Sequence, residues 1–212
     1  PIASIRMVPA LFGALLPVII MLLLRQAGVS LAFSVIGGIA AALENALIVE
    51  SRFILTDSIL LTVTFGSIAS AIAAVQTTKK SHAWYWIILA GILAGIAVGT
   101  KFTGAIGGGL AGIVLVSQAV RDGYMKLGEW VWKILVFIFC IIGIYLFGWM
   151  LHFSLLTQPG SGDAWGVPTG SFWHDIVHEH AQMLSANYNL TAGHPYGSKW
   201  YTWPFMVRSV FY

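Results

Sequence analysis

Apolar stretches close to 20 residues long recur along this sequence, and a helix of that length crosses a bilayer core about 30 Å thick. Hydrophobic residues make up 58% of the 212 residues and charged residues 9%, unlike the composition of an ordinary soluble domain. No long stretch alternates with the period of two that a membrane β-barrel requires. The sequence therefore predicts an all-α polytopic membrane protein.

The apolar pattern divides the chain into three parts. Residues 1–151 are predicted to be a transmembrane region, residues 152–203 a polar loop and residues 204–212 the start of a further, truncated span. The sequence starts at a proline without a signal-like basic segment and stops within an apolar run, so we expect an internal fragment of a longer protein. The transmembrane region holds about six predicted spans, roughly residues 8–25, 31–49, 56–75, 84–100, 102–120 and 131–151.

Basic residues between the predicted spans indicate the orientation in the membrane. Cytoplasmic loops carry an excess of Lys and Arg, and six basic residues lie on one side against five on the other. We therefore expect the first side in the cytoplasm and the loop of residues 152–203 on the outer face of the cytoplasmic membrane. The first side holds Arg25, Lys79, Lys80, Arg121, Lys126 and Lys133, and the other holds Arg6, Arg52, Lys101, Lys199 and Arg208.

Charge is concentrated in the stretch ALENALIVESRFILTDSILL, residues 41–60, between two apolar runs. Glu44 lies within an apolar run, where an ionisable group needs a partner or water. Two interpretations are open for the rest. The charges mark a polar turn with long side chains that reach the interface, or Arg52 binds a phosphate while Glu50 or Asp57 holds its guanidinium in place.

Lys101 is a lone cation between two apolar helices, within the glycine-dense sequence GTKFTGAIGGG. This pattern predicts a broken helix or a tight re-entrant turn. Lys101 is either an ordinary loop lysine or a second point charge for a phosphate, which glycines allow to approach the backbone closely. The predicted orientation places Arg52, Lys101 and the loop of residues 152–203 on the same side.

The polar loop contains an amphipathic pattern over residues 171–186, which indicates an interfacial helix on the outer leaflet with Ser171 as a cap. His174 and His178 in HDIVHEH fall on one helical face, as metal ligands can. The pattern fixes no third ligand, so surface histidines without a metal are the favoured interpretation.

Further along, NLT at residues 189–191 is a formal N-glycosylation sequon. The sequence KWYTWP at residues 199–204 is typical of an aromatic belt at a membrane interface. Together with His194 and Ser198, aromatic side chains such as Trp200 could also form a platform on which a sugar stacks. The sequence alone leaves both roles open.

Two classes of protein receive no support from the sequence. Cys140 is the one cysteine, so an internal disulfide is excluded. The basic residues are scattered between spans and do not form a patch with interleaved aromatic residues, so we expect no nucleic-acid partner.

Four motifs occur in order: SRFILTDSILL, GTKFTG, LHFSLLTQPGSGDAW and HPYGSKWYTWP. Together they resemble the protein O-mannosyltransferase family, which has a GT-C type bundle of transmembrane helices. The resemblance covers essentially the whole chain. It implies transfer of mannose, with inversion, from a polyprenyl-phosphate carrier to Ser or Thr hydroxyls of an acceptor protein at the outer membrane surface, without a cofactor.

The resemblance also implies roles for individual residues. Arg52 and Lys101 match the family's arginine and lysine motifs and are expected to hold the donor phosphate. The presumed catalytic base belongs to an Asp-Glu pair in a loop that would precede Pro1, so no residue here takes that role. The loop of residues 152–203 is too short for a β-trefoil MIR domain, which points to a bacterial or archaeal type. The other candidate substrate-binding residues are Asp57, Glu50, His194, Ser198 and Trp200.

Two other functions stay open at this point. A related GT-C transferase could use lipid A or a polysaccharide as its acceptor. A transporter could use Glu44 and a broken helix near Lys101, although the sequence has no internal repeat and its charges gather at one predicted surface.

Overall fold

The computed structural model describes residues 2–158, 168–191, 197, 199 and 201–202. Two compact units divide between Gly148 and Trp149. In the described ranges the regular structure consists of α-helices and short 3₁₀ turns without a strand, so the all-α prediction is confirmed. The helices are α1 (Ile2–Gln26), α2 (Leu31–Leu43), α3 (Asn45–Arg52), α4 (Asp57–Gln76), α5 (Lys80–Thr100), α6 (Ala105–Asp122), α7 (Leu127–Leu155) and α8 (Phe172–Tyr188).

Within the described residues, five helices are long and apolar enough to cross a membrane. They are α1 from Ile5, α4, α5, α6 with its preceding 3₁₀ turn, and α7; the bent pair α2 and α3 would add a sixth. Large apolar side chains such as Phe33, Ile113 and Phe139 are exposed on the helix surfaces. Exposure on this scale is unfavourable in water and is satisfied by lipid. The chain is a multi-pass membrane protein.

Residues 31–52 form two helices that meet at an angle of 54°, where the sequence predicts one span over residues 31–49. Glu44 lies at the break with extended backbone, and its carboxylate accepts a hydrogen bond of 2.7 Å from the Leu47 amide. A carboxylate at this position satisfies a free N–H at the start of α3 and interacts favourably with the helix dipole. The polar partner that Glu44 needs is therefore the backbone of its own chain.

Helix α4 is the centre of the first unit and packs against α1, α5 and α6. Small and hydroxyl side chains dominate its buried surface and let the neighbouring backbones approach closely. Ser58 and Thr62 donate to the carbonyl oxygens of Pro9 and Phe12 at 3.0 and 2.8 Å, and Ser67 donates to the Ala90 carbonyl at 2.9 Å. These bonds join α4 to α1 on one side and to α5 on the other.

The interhelical contacts fix the direction of each helix in this unit. α1 and α4 run parallel, because Ser58 bonds to Pro9 at one end and Gln76 bonds to Gln26 at the other. α5 runs antiparallel to α4 and α6 returns beside them. We call the end with the α3–α4 loop and the α5–α6 turn the Arg52 end, and the end with the α1–α2 loop and the α6–α7 turn the Arg25 end.

In the second unit, α8 spans Phe172–Tyr188, two residues beyond the predicted range of 171–186. Phe172 packs edge-on against Phe153, with ring centroids 6.1 Å apart, and the His180 ring lies 5.1 Å from the Trp149 ring. The opposite side carries an exposed apolar stripe of Trp173, Val177, Leu184 and Tyr188. The helix is amphipathic, as its sequence indicates, and its place on the outer leaflet stays a prediction.

The start of α8 is not capped as the sequence predicts. Ser171 occupies the N-cap position, but its side chain makes no capping hydrogen bond. Asp175 instead accepts hydrogen bonds from the Thr169 amide and hydroxyl, at 3.0 and 2.6 Å, across a turn in which Gly170 has φ +88°. This turn aims the preceding segment at Asp175, a geometry that the cap pattern in the sequence does not contain.

Candidate functional site

Arg52 is the last residue of α3 and lies at the Arg52 end with its side chain exposed. Phe53 ends the helix in extended conformation, and its amide donates to the Val49 carbonyl. Among the residues that the structure describes, no carboxylate lies within ion-pair distance of the Arg52 guanidinium. An exposed, uncompensated guanidinium beside apolar helices is suited to a planar anion such as a phosphate.

Lys101 forms an ion pair with Asp57, with 3.2 Å between Nζ and Oδ1. This pair connects the first residue of α4 to the turn after α5. The sequence predicts that Asp57 or Glu50 holds Arg52; the structure instead pairs Asp57 with Lys101. Side-chain exposures of 54% for Lys101 and 32% for Asp57 leave the pair open to solvent and to an incoming anion.

The turn that carries Lys101 is tight because Gly104 packs directly on the preceding helix. Lys101 has extended backbone, and its carbonyl accepts a hydrogen bond of 2.8 Å from the Gly104 amide. A side chain at Gly104 would overlap the Ala97 carbonyl and side chain. Beneath the turn, Ala97 is buried in a small apolar core with Leu60 and Val63 of α4. The turn therefore has little freedom to move away from α4.

A second close approach holds α3 in place. A side chain at Gly13 of α1 would overlap Ser51, the residue before Arg52. On the next element, the buried Ser58 hydroxyl donates to the Pro9 carbonyl of α1. Both residues next to the charged positions are thus tied to α1, and together with Gly104 they are site-positioning residues that the sequence interpretation missed.

A signal for these residues exists in the sequence. Ser58 and Thr62 are four residues apart on a membrane helix, a spacing that places two hydroxyls on one face. Small and hydroxyl residues at such spacing mark helix–helix contacts in membranes. The glycine in TKFTG is likewise typical of a close backbone approach.

The remaining candidates are distributed as follows. Glu50 is half-buried in α3, one turn from the α3–α4 loop. His194, Ser198 and Trp200 lie outside the described residues, so the sugar-stacking platform stays a prediction.

The histidines of α8 do not form a metal centre with other described residues. The rings of His174 and His178 are nearly parallel, with centroids 6.2 Å apart. His174 Nδ1 lies 3.3 Å from the Asp175 carboxylate, while His180 Nδ1 lies 2.6 Å from the Ile176 carbonyl. In the ranges covered by the structure, no group of three or more His, Cys, Asp or Glu residues is arranged to hold a metal ion.

Comparison with known proteins decides the family. A family model described as "Dolichyl-phosphate-mannose-protein mannosyltransferase" matches residues 1–157, which include Arg52, Asp57 and Lys101. The chain belongs to this mannosyltransferase family. The match ends before α8, so the second unit lies largely outside the part of the mannosyltransferase chain that the family model covers.

Curated mannosyltransferase relatives have low identity to the chain over most of its length. Protein O-mannosyl-transferase 1 of Danio rerio is 28% identical over 77% of this chain, which corresponds to 24% of the relative. Protein O-mannosyltransferase 1 of Drosophila melanogaster is 30% identical over 81% of this chain and 20% of its own length. Dolichyl-phosphate-mannose–protein mannosyltransferase 4 of Candida albicans is 27% identical over 77% of this chain and 23% of its own length. The chain thus spans about a quarter or less of these relatives, and no solved structure matches it.

Proposed function

We propose that this chain binds the donor phosphate in an enzyme that transfers mannose from a polyprenyl-phosphate carrier to Ser or Thr hydroxyls of proteins. The observation that carries the proposal is that Arg52 and Lys101, from two separate helical hairpins, lie at the same end of the first unit. Membership of the mannosyltransferase family supports the sugar and the carrier. The activity is proposed for the full-length protein, at the outer face of the cytoplasmic membrane.

The chemistry needs positive charge at the leaving group. The acceptor hydroxyl oxygen forms a bond to the anomeric carbon while the bond from that carbon to the phosphate oxygen breaks. The electron pair of the broken bond leaves with the phosphate, whose charge rises in the transition state. Arg52 offers two parallel N–H donors to phosphate oxygens and Lys101 adds a point charge, so both stabilise the developing charge.

The Asp57–Lys101 ion pair supports this role because it is easily exchanged. An exposed ion pair contributes only about 0–1 kcal/mol to stability. A phosphate that approaches Lys101 therefore replaces the Asp57 carboxylate at small cost. In the absence of donor, Asp57 keeps the lysine ammonium at the Arg52 end, which makes Asp57 a positioning residue in this proposal.

The proton of the acceptor hydroxyl must go to a base, and a carboxylate suits this task. The resemblance places that carboxylate in a loop ahead of Pro1, and this chain's own contribution is confined to the donor side. A single displacement at the anomeric carbon inverts its configuration. The inversion can be checked from the anomeric configuration of the mannosylated product.

The transporter alternative loses its two supports. Glu44 caps α3 through the Leu47 amide and is used by the fold itself. The chain near Lys101 forms a short 3₁₀ turn, Phe102–Gly104, between two helices that are each long enough to span the membrane. The relatives are named as transferases that act on proteins, which favours a protein acceptor over a lipid or polysaccharide.

The test is mannose transfer by the full-length protein, from a polyprenyl-phosphate mannose to a peptide that contains Ser and Thr. Removal of one preorganised donor to a developing charge typically lowers kcat by about 10²–10³. We therefore expect Arg52→Ala to lower kcat/KM by at least about 100-fold, and Lys101→Ala to raise the donor KM by about tenfold.

Matched controls lie at the Arg25 end. Arg121 is exposed in the last turn of α6, and Lys80 forms an exposed ion pair of 3.4 Å with Glu129. We expect Arg121→Ala and Lys80→Ala to keep kcat/KM within about twofold of the wild type, a change below 0.5 kcal/mol. Wild-type turnover by folded Arg52→Ala protein, or equal losses in the controls, would remove the phosphate role.

A further inference from the structure

An apolar groove lies at the Arg52 end, between the first turns of α1 and the α3–α4 loop. Its volume is about 440 Å³, within the range of roughly 300–1,000 Å³ that is usual for ligand sites. Ile5, Val8 and Pro9 line one side, and residues 54–56 with Ile59 line the other. Thr56 is the one lining residue with a polar side chain. The groove can therefore bury hydrocarbon and offers almost nothing to a polar ligand.

The position of the groove relates it to the cations. Residues 54–56 connect Arg52 to Asp57, the partner of Lys101, so one wall of the groove is the loop between the two charged positions. Two other apolar cavities, lined by α6 and α7 residues such as Val116 and Val120, lie along the unit towards the Arg25 end. The groove at Arg52 is thus distinguished by the positive charge next to it.

We propose that this groove binds the isoprene units of the carrier lipid that follow its phosphate. The inference rests on the proposed function, because the phosphate must first lie at Arg52 and Lys101. A polyprenyl phosphate is an anion with a long hydrocarbon chain, and this end offers cations beside an apolar groove. An isoprenoid chain gains about 0.8 kcal/mol for each methylene that it buries, so a groove next to the phosphate adds affinity for the donor.

The walls are fixed before any ligand arrives. The Ser58 hydroxyl bonds to the Pro9 carbonyl at 3.0 Å and joins the two sides directly behind the groove. The close contact of Gly13 with Ser51 holds the start of the loop against α1 as well. Since the groove does not have to be ordered on binding, little of the binding energy is lost.

The test compares two donors with the full-length enzyme, a mannosyl phosphate with one isoprene unit and one with four. We expect the wild type to prefer the longer donor and Val8→Trp, which fills the groove, to lower that preference by about tenfold. This is the loss expected when roughly two methylene groups are no longer buried. The shorter donor should keep a KM within about twofold, because its chain depends little on the groove.

Val116→Trp is the matched control. Val8 and Val116 are each 47% exposed and each line an apolar cavity, but at opposite ends of the unit. We expect Val116→Trp to keep the wild-type preference. Unchanged preference in Val8→Trp, or an equal loss in Val116→Trp, would overturn the groove proposal. If the wild type transfers mannose from neither donor, the proposed function fails instead.

A second measurement does not depend on the folding of a variant. A four-unit polyprenyl phosphate with a photoreactive diazirine on its second isoprene unit is added to the wild-type enzyme in vesicles of zwitterionic phospholipid. We expect crosslinks at residues 5–9 and 54–59 that excess unlabelled polyprenyl phosphate removes and excess phospholipid does not. Crosslinks elsewhere would refute the proposal, and competition by phospholipid would assign the groove to bulk lipid.

Discussion

At the scale of single residues, chemistry was easier to predict than partners. Arg52 and Lys101 stand out in the sequence because lone cations in apolar surroundings need an explanation. The Asp57–Lys101 pair could not be predicted, because it joins residues 44 positions apart and depends on how α4 packs against α5. The same holds for Gly104, whose requirement for glycine comes from the Ala97 carbonyl on the preceding helix.

Gly104→Ala tests that contact. The added methyl group must overlap backbone that is buried and fixed, and overpacking of this kind costs roughly 1–3 kcal/mol. We expect a lower midpoint of thermal unfolding in detergent and a higher donor KM, because the turn that carries Lys101 is displaced from α4. Thermal unfolding of the purified full-length protein and donor titration measure the two effects.

Gly99→Ala is the control for this change. Gly99 lies in the last turn of α5, five residues from Gly104, and a side chain there would meet no atom within 4 Å. Alanine is favoured over glycine within a helix by about 0.5–1 kcal/mol, so we expect equal or slightly higher stability. A Gly104→Ala protein that behaves like Gly99→Ala would show that the turn is free to relax.

At the scale of elements, hydrophobic periodicity predicted that α8 exists, but the cap pattern misassigned how it begins. Asp175 is buried, and the Thr169 hydroxyl that donates to it holds the pKa of this carboxyl below its ordinary value of 3.8, against the opposing effect of burial. A carboxyl whose pKa is lower in the folded state stabilises that state when ionised. This contribution is complete above the unfolded pKa of about 4 and is lost as the pH falls through the folded pKa.

Hydrogen–deuterium exchange over residues 168–188, corrected for intrinsic rates, can follow this loss. We expect constant protection of α8 between about pH 5 and pH 7 and weaker protection below about pH 4. Asp175→Asn should show the weaker protection at every pH, because the neutral amide is a poorer acceptor. Ser171→Ala should match the wild type, since the Ser171 side chain makes no capping bond. Protection lost in Ser171→Ala but kept in Asp175→Asn would restore the cap that the sequence predicts.

At the scale of the whole molecule, composition was sufficient for the class and insufficient for the arrangement of the first unit. Apolar length alone gives an all-α membrane protein, because only helices satisfy their backbone groups in lipid without neighbours. The break at Glu44 and the central place of α4 depend on a carboxylate cap and on interhelical hydroxyl bonds. Neither leaves a mark in a hydropathy profile, since both concern which atoms meet after the helices assemble.

The orientation of the first unit is a prediction that the charges make. The Arg25 end holds Arg25, Lys79, Lys80, Arg121, Lys126 and Lys133, while Arg6, Arg52 and Lys101 are the basic residues of the first unit at the Arg52 end. Because basic residues are retained in the cytoplasm, the Arg52 end should face outwards. Thr78 and Thr103 are both exposed threonines just outside α5, at its opposite ends. Each can become a cysteine without any change of charge.

Labelling with a membrane-impermeant maleimide then reports the side of each end. In the full-length protein with Cys140→Ala and any other native cysteine replaced, we expect Thr103→Cys to react in intact cells and Thr78→Cys only after the membrane is opened. The cysteine-free parent should remain unlabelled under both conditions. The reverse pattern would place Arg52 and Lys101 in the cytoplasm, and with them the proposed phosphate site, on the side where an extracytoplasmic acceptor cannot reach it. Labelling of both positions from one side would contradict α5 as a membrane span.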